Sequence, residues 1–200
     1  MEGAILAGGS GRRMGGLAKG LLPFEGAPLI RTIASRMAAR CNRVSLIVAS
    51  DKQAEEFAML KLPTRLDFLP GSGPLSALHS ALTGAEEPLV WVSACDMPFV
   101  SPQAASWMAG RLAESGANAV VPFVHGRLHP LQAVYRSDCS VYTRECIDRG
   151  ERRMMKLLEA IRPLVAEESE LKEVGIDLSF VTNINTPEDY DRIVPGYRMG

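Results

Sequence analysis

Short apolar runs alternate with stretches of helical periodicity from the start of the chain. Residues 3–6, 44–49, 65–69, 89–94 and 119–123 are predicted strands, and several are apolar on both faces, as parallel strands covered by helices are. Between them, residues 29–39, 51–59, 75–82 and 103–114 carry apolar positions at the spacing of one helix face. This β-α-β-α order predicts an α/β chain with a doubly wound, Rossmann-like sheet. Beyond Val124 the pattern loosens. Residues 131–135 are a predicted strand, 138–148 and 152–160 predicted helices, and 164–165 and 180–181 predicted edge strands. Thr186, Pro187, Glu188 and Asp189 read as a hydroxyl N-cap, a proline at the first helical position and acids in the first turn, so a last helix is expected over 187–193. No repeat or long linker divides the sequence; one domain over residues 1–200 is expected, with 195–200 as a frayed tail.

Of the 200 residues, 46% are apolar and 22% charged, and the formal net charge is −1. A chain so near neutrality has no general field for nucleic acid or an anionic membrane, so any grip on an anion must be local. An aromatic share of 6% also leaves few platforms on which bases could stack. No apolar run reaches the ~18 residues of a membrane span, and no secretory leader is visible, so a cytoplasmic protein is expected. Cys41, Cys95, Cys139 and Cys146 lack C-x-x-C spacing, and His79, His125 and His129 make no zinc pattern with them; reduced, mostly buried thiols are expected.

The first strand runs into LAGGSGRRMGG (residues 6–16) and then Lys19. Glycines let backbone N–H groups approach a ligand, while Arg12, Arg13 and Lys19 offset negative charge, a combination suited to a triphosphate. The dinucleotide fingerprint needs glycine where Met14 stands, and the Walker A pattern needs Gly-Lys followed by a hydroxyl, whereas Lys19 lies between Ala18 and Gly20. The remaining alternative is a merely flexible loop. Asp96 follows the predicted strand 89–94, on the same rim of the sheet, where a carboxylate can hold Mg²⁺ against phosphate oxygens; an N-cap or loop aspartate is the alternative. Asp67 precedes a second glycine turn ending in Gly73, and could meet a guanine edge or a ribose, or simply form the turn. Arg152, Arg153 and Lys156 make a second basic cluster, with Arg152 and Lys156 on one face of the predicted helix; it and Asn183 and Asn185 are either an anion site or solvated surface.

Taken in order, LAGGSGRRMGG, Lys19, GPL (73–75), CDMP (95–98), HP (129–130), ERR (151–153) and NINTPED (183–189) resemble the molybdenum cofactor guanylyltransferase family over nearly the whole chain. The resemblance implies a three-layer α/β/α nucleotidyltransferase fold with a mostly parallel sheet, and transfer of GMP from GTP to the terminal phosphate of molybdopterin with Mg²⁺ as cofactor. It implies a nucleotide site built from Leu6, Ala7, Gly8, Gly9, Arg12, Lys19, Asp67, Gly73 and Asp96, with Asp96 on the metal and Lys19, Arg13 and Asp96 carrying catalysis. Arg152, Arg153, Asn183 and Asn185 are the expected acceptor residues. Other cofactor-assembly proteins or molybdoenzymes are the expected partners. Two departures stand out: Ala18 occupies the position before the lysine where the family usually has aspartate, and Ile47-Val48-Ala49-Ser50 offers only Ser50 where the family has a polar strand end. A cytidylyl or sugar-phosphate transferase of the same fold, or a nucleotide-binding module without turnover, stays open.

Overall fold

The computed structural model describes residues 1–8, 18–69 and 72–194. The first strand, β1 (Glu2–Leu6), leads to a small hairpin of β2 (Pro23–Phe24) and β3 (Ala27–Pro28), then to α1 (Leu29–Met37). There follow β4 (Arg43–Val48), α2 (Asp51–Phe57), β5 (Thr64–Leu66), α3 (Pro74–Thr83), β6 (Leu89–Ala94) and α4 (Pro102–Ser115). The remainder comprises β7 (Ala119–Val124), β8 (Arg127–Leu128), β9 (Gln132–Arg136), α5 (Ser140–Asp148), α6 (Met154–Ile161), β10 (Leu164–Glu167), α7 (Glu168–Glu173) and α8 (Pro187–Ile193).

One sheet runs in the order β10-β7-β9-β6-β1-β4-β5, with β8 paired to β7. β1 lies between β4 and β6, parallel to both, while β9 is antiparallel to both β6 and β7. Side chains alternate between two cores, as the pleat demands. Ile5, Leu46, Val48, Trp91, Val120 and Val134 face α1, α4 and α8, whereas Leu6, Ile47, Val92, Val121 and Tyr135 face α3, α5 and α6. The expected three-layer, mostly parallel α/β fold is present. Within the described helices, none is long and apolar enough to cross a membrane.

Two local expectations are corrected. Residues 180–181 are not an edge strand but end a 3-10 turn, Leu178–Val181, whose start Asp177 caps by accepting from Ser179 N at 2.8 Å. Phe180 and Val181 are apolar because they are buried in the core. The Phe180 carbonyl, lacking a ladder, accepts from Gln132 Nε2 at 2.9 Å. The helix expected from residue 152 begins instead at Met154, because Arg153 is extended at φ −90°, ψ 130°. Arg152 and Lys156 therefore do not share a helical face, and Lys156 pairs with Glu159 at 2.6 Å. The last helix does start at Pro187, with Thr186 and Asp189 forming a reciprocal capping box.

Candidate active site

The carboxyl ends of β1, β4 and β6 meet at one rim, as parallel pairing requires. Past the end of β1, Ala7 N donates to Ile47 O at 2.8 Å, and Cys95 N donates to Leu6 O at 3.1 Å. Gln53 on α2 bridges the same corner: its Oε1 accepts from Ala49 N at 2.8 Å and its Nε2 donates to Ala7 O at 3.4 Å. Gly8 sits close under β4, where an added Cβ would lie 3.5 Å from Ala49 Cβ. Leu6, Ala7 and Gly8 are thus fixed on the rim. Gly9, Arg12 and Arg13 lie outside the described residues.

Lys19 and Asp96 come together here. Lys19 Nζ lies 3.6 Å from Asp96 Oδ2, and the two side chains are only 17% and 21% exposed. Lys19 Nζ also donates to Ile184 O at 3.0 Å and to Asn185 Oδ1 at 3.4 Å. Ile184 N in turn donates to Asp96 O at 2.8 Å. Three segments far apart in sequence are therefore stitched at one point. Burial pushes the Asp96 carboxyl above the usual carboxylate range, and the Lys19 cation only partly pulls it back. The neighbouring Cys95 thiol is pushed up to about 12 by burial, so it is no nucleophile at neutral pH.

A cleft of about 260 Å³ opens beside Asp96, and Arg127, His129, Leu131, Met154 and Asn183 are among its walls. Met154 and Asn183 line this cleft, whereas Arg152, Arg153 and Asn185 are not among its walls. Gly73, at φ 79°, precedes α3 and lies so near the Arg152 carbonyl that a Cβ would come within 3.4 Å of that oxygen. Arg152 and Arg153 are exposed. Asp67 is buried, and its Oδ1 accepts from Leu69 N at 3.1 Å, from Ser80 Oγ at 3.4 Å and from Ser76 Oγ. One oxygen of Asp67 is therefore spent on shaping the turn before α3.

Sequence reasoning missed Arg127 and Gln53, and it left His129 without a partner. The signal for the first was His125-Gly126, both at positive φ (52° and 74°), which turns β7 back into β8 as a two-residue type I′ hairpin. His125 N donates to Glu168 Oε2 at 2.9 Å, holding that hairpin against α7. His129 is buried, and its Nε2 pairs with Val124 O at 3.1 Å. Its burial lowers its pKa, and the nearby Arg127 cation acts in the same direction.

A lysine and a carboxylate brought together beside the carboxyl ends of parallel strands form a site suited to an anionic, phosphate-bearing ligand. Residues 3–166 match the MobA-like NTP transferase domain, and the chain belongs to that family. It is 31% identical over 194 residues to the "Probable molybdenum cofactor guanylyltransferase" of Natronomonas pharaonis, covering 95% of each chain. It is 33% identical over 191 residues to the protein of the same name from Mycobacterium tuberculosis, covering 93% of this chain and 89% of that one. Among solved structures, it is similar to molybdopterin-guanine dinucleotide biosynthesis protein A from Archaeoglobus fulgidus, with 27% identity, 96% of each chain covered and a TM-score of 0.84. The 2-C-methyl-D-erythritol 4-phosphate cytidylyltransferase of Thermus thermophilus shares the fold at 17% identity and a TM-score of 0.66, covering 93% of each chain.

Proposed function

We propose that this protein transfers GMP from GTP to the terminal phosphate of molybdopterin, giving the guanine dinucleotide and pyrophosphate. The observation that carries this reading is the Lys19–Asp96 pair, at 3.6 Å, on the rim of the sheet and beside the cleft. The names of the family's relatives supply the two substrates. In this reading Leu6, Ala7, Gly8 and Gly9 offer backbone to the nucleotide, Arg12, Arg13 and Lys19 bear on the phosphates, and Asp67 and Gly73 border the nucleoside. Arg152, Arg153, Asn183 and Asn185 receive the acceptor.

Asp96 suits a hard cation. Lys19 is its one cationic partner among the described residues, and at 3.6 Å it leaves carboxylate lone pairs unspent. No group of three or more metal-ligating side chains gathers among the described residues, so phosphate oxygens and water would complete the shell. Mg²⁺ held by Asp96 would supply charge neutralisation at the phosphates. The acceptor phosphate is already anionic, so the protein need not deprotonate it; its task is alignment and charge screening. Lys19, fixed by Ile184 O and Asn185 Oδ1, is set to draw charge from the α-phosphate and the departing pyrophosphate. The four free cysteines accord with a cytoplasmic location.

The test is pyrophosphate release from GTP, CTP, ATP and UTP with Mg²⁺, using molybdopterin or its molybdenum-loaded form as acceptor. Release with GTP alone is expected. Release with CTP would make the protein a cytidylyltransferase, and silence with all four would overturn the reading.

A further inference from the structure

Arg127 and His129 belong to none of the sets assigned above, yet both line the cleft that Asp96 and Asn183 border. Arg127 is the only cation among the described residues that line it. It is exposed, no carboxylate among the described residues pairs with it, and its neighbours on the hairpin bring no acid. An exposed guanidinium lining a cleft beside the Asp96–Lys19 pair, with no carboxylate of its own, is suited to pair with an anionic ligand.

The placement is built. The type I′ turn at His125-Gly126 aims β8 back along β7, with Arg127 in register with Val124. Glu168, itself paired with Lys172 at 2.6 Å, accepts from His125 N and holds the turn. Two residues on, His129 N donates to Pro122 O at 2.9 Å and His129 O accepts from Gln132 N at 3.0 Å, fixing the backbone there, while Val124 O at 3.1 Å from Nε2 holds the ring. Val124 O can only accept, so the Nε2 facing it at 3.1 Å must carry the proton. In the neutral ring Nδ1 is then an acceptor, and it has no partner among the described residues.

We propose that the Arg127–His129 hairpin is the acceptor-selecting element of this enzyme: Arg127 pairs with the anionic part of a phosphorylated heterocycle, and His129 Nδ1 accepts from an N–H on its ring edge. This rests on the nucleotidyl-transfer reading above and extends it, since it separates the residues that choose the acceptor from those that hold the nucleotide. A ligand with the phosphate but no donor-bearing heterocycle gains only half of the interaction.

Steady-state pyrophosphate release at fixed salt, with GTP saturating and molybdopterin varied, tests it through four proteins: wild type, Arg127→Ala, Arg127→Lys and His129→Gln. Glutamine can keep the donor to Val124 O through Nε2 while shifting the acceptor, now its Oε1, off the Nδ1 position, and an unchanged Tm would certify each fold. Loss of a charge-assisted contact should raise the acceptor KM roughly tenfold to a hundredfold in Arg127→Ala, with partial rescue in Arg127→Lys and the KM for GTP unchanged. His129→Gln should raise the acceptor KM by roughly tenfold. An acceptor KM unchanged in Arg127→Ala while wild type turns over would overturn this inference alone. A silent wild type would bring down the transfer reading and this inference together. Equal rises in the KM for GTP and for the acceptor would also refute it, by showing a general loss of site order.

Discussion

Replacing Asp96 by asparagine should make the protein more stable and inactive at once. The carboxylate is 21% exposed, and its cationic partner lies at 3.6 Å. At an effective dielectric of about 20, that separation is worth roughly 4–5 kcal/mol of attraction. Desolvation nevertheless wins, because the carboxyl still titrates above its ordinary range. Asparagine keeps the shape without the charge, and Lys19 retains Ile184 O and Asn185 Oδ1 as acceptors. The net gain should be about 1 kcal/mol, the size common when strain held for function is relieved, and for a chain of this length about 2–4 °C in Tm. A group whose folded pKa is raised contributes fully below its unfolded value, near 4, and loses that contribution as pH rises through its folded value. The advantage of Asp96→Asn should therefore be greatest at neutral pH and shrink towards acid. Thermal unfolding of metal-free protein at pH 7 and pH 4.5, beside pyrophosphate release with Mg²⁺, measures both effects. A Tm lower than wild type at pH 7 would mean that the pair with Lys19 is structural and that the desolvation argument fails.

Three further outcomes are expected from the same structure. Lys19→Ala should lose roughly a hundredfold to a thousandfold in kcat in the pyrophosphate assay, as removal of one transition-state donor does, while far-UV circular dichroism stays that of wild type. Gly20→Ala should cost about 1–3 kcal/mol in urea unfolding, since its Cβ would stand 2.6 Å from Ile30 Cγ1, and closer still to Ile30 Cδ1, in a fully buried side chain; because Gly20 follows Lys19, activity should fall further than stability. Ser45→Ala should raise stability by about 1 kcal/mol, because the Ser45 hydroxyl is buried without a hydrogen-bond partner, and an unchanged unfolding midpoint would refute that assignment.

The buried strands were legible because their pattern leaves little choice: β1, β4, β6 and β7 are apolar on both faces, and each feeds both cores. Asp96 was legible for the same reason, as the first carboxylate after such a strand. Short elements were not. β8 has two residues, fewer than any periodicity can register, and only the positive φ of His125 and Gly126 reveals the turn that creates it. Residues 180–181 carried the apolar signal of a strand, yet their burial is met by a 3-10 turn and by Gln132 rather than by a ladder. Lys19 could be chosen from its loop, but its partners Ile184 and Asn185 stand 165 and 166 residues away, a pairing that no local pattern announces.

That long-range stitch also orders events in the life of the polypeptide. The segment 3–166 that matches the family contains every strand of the sheet but β1's first residue and β10's last, and so holds nearly all of the sheet, while Phe180, Ile184 and Tyr190 beyond it complete one core. A growing chain that had folded its sheet would still present Lys19 without its carbonyl anchor until residues 183–186 arrived to dock on Asp96. The anchor is a late arrival, so an incomplete copy could carry the strands without the contacts that hold the Lys19 ammonium beside Asp96.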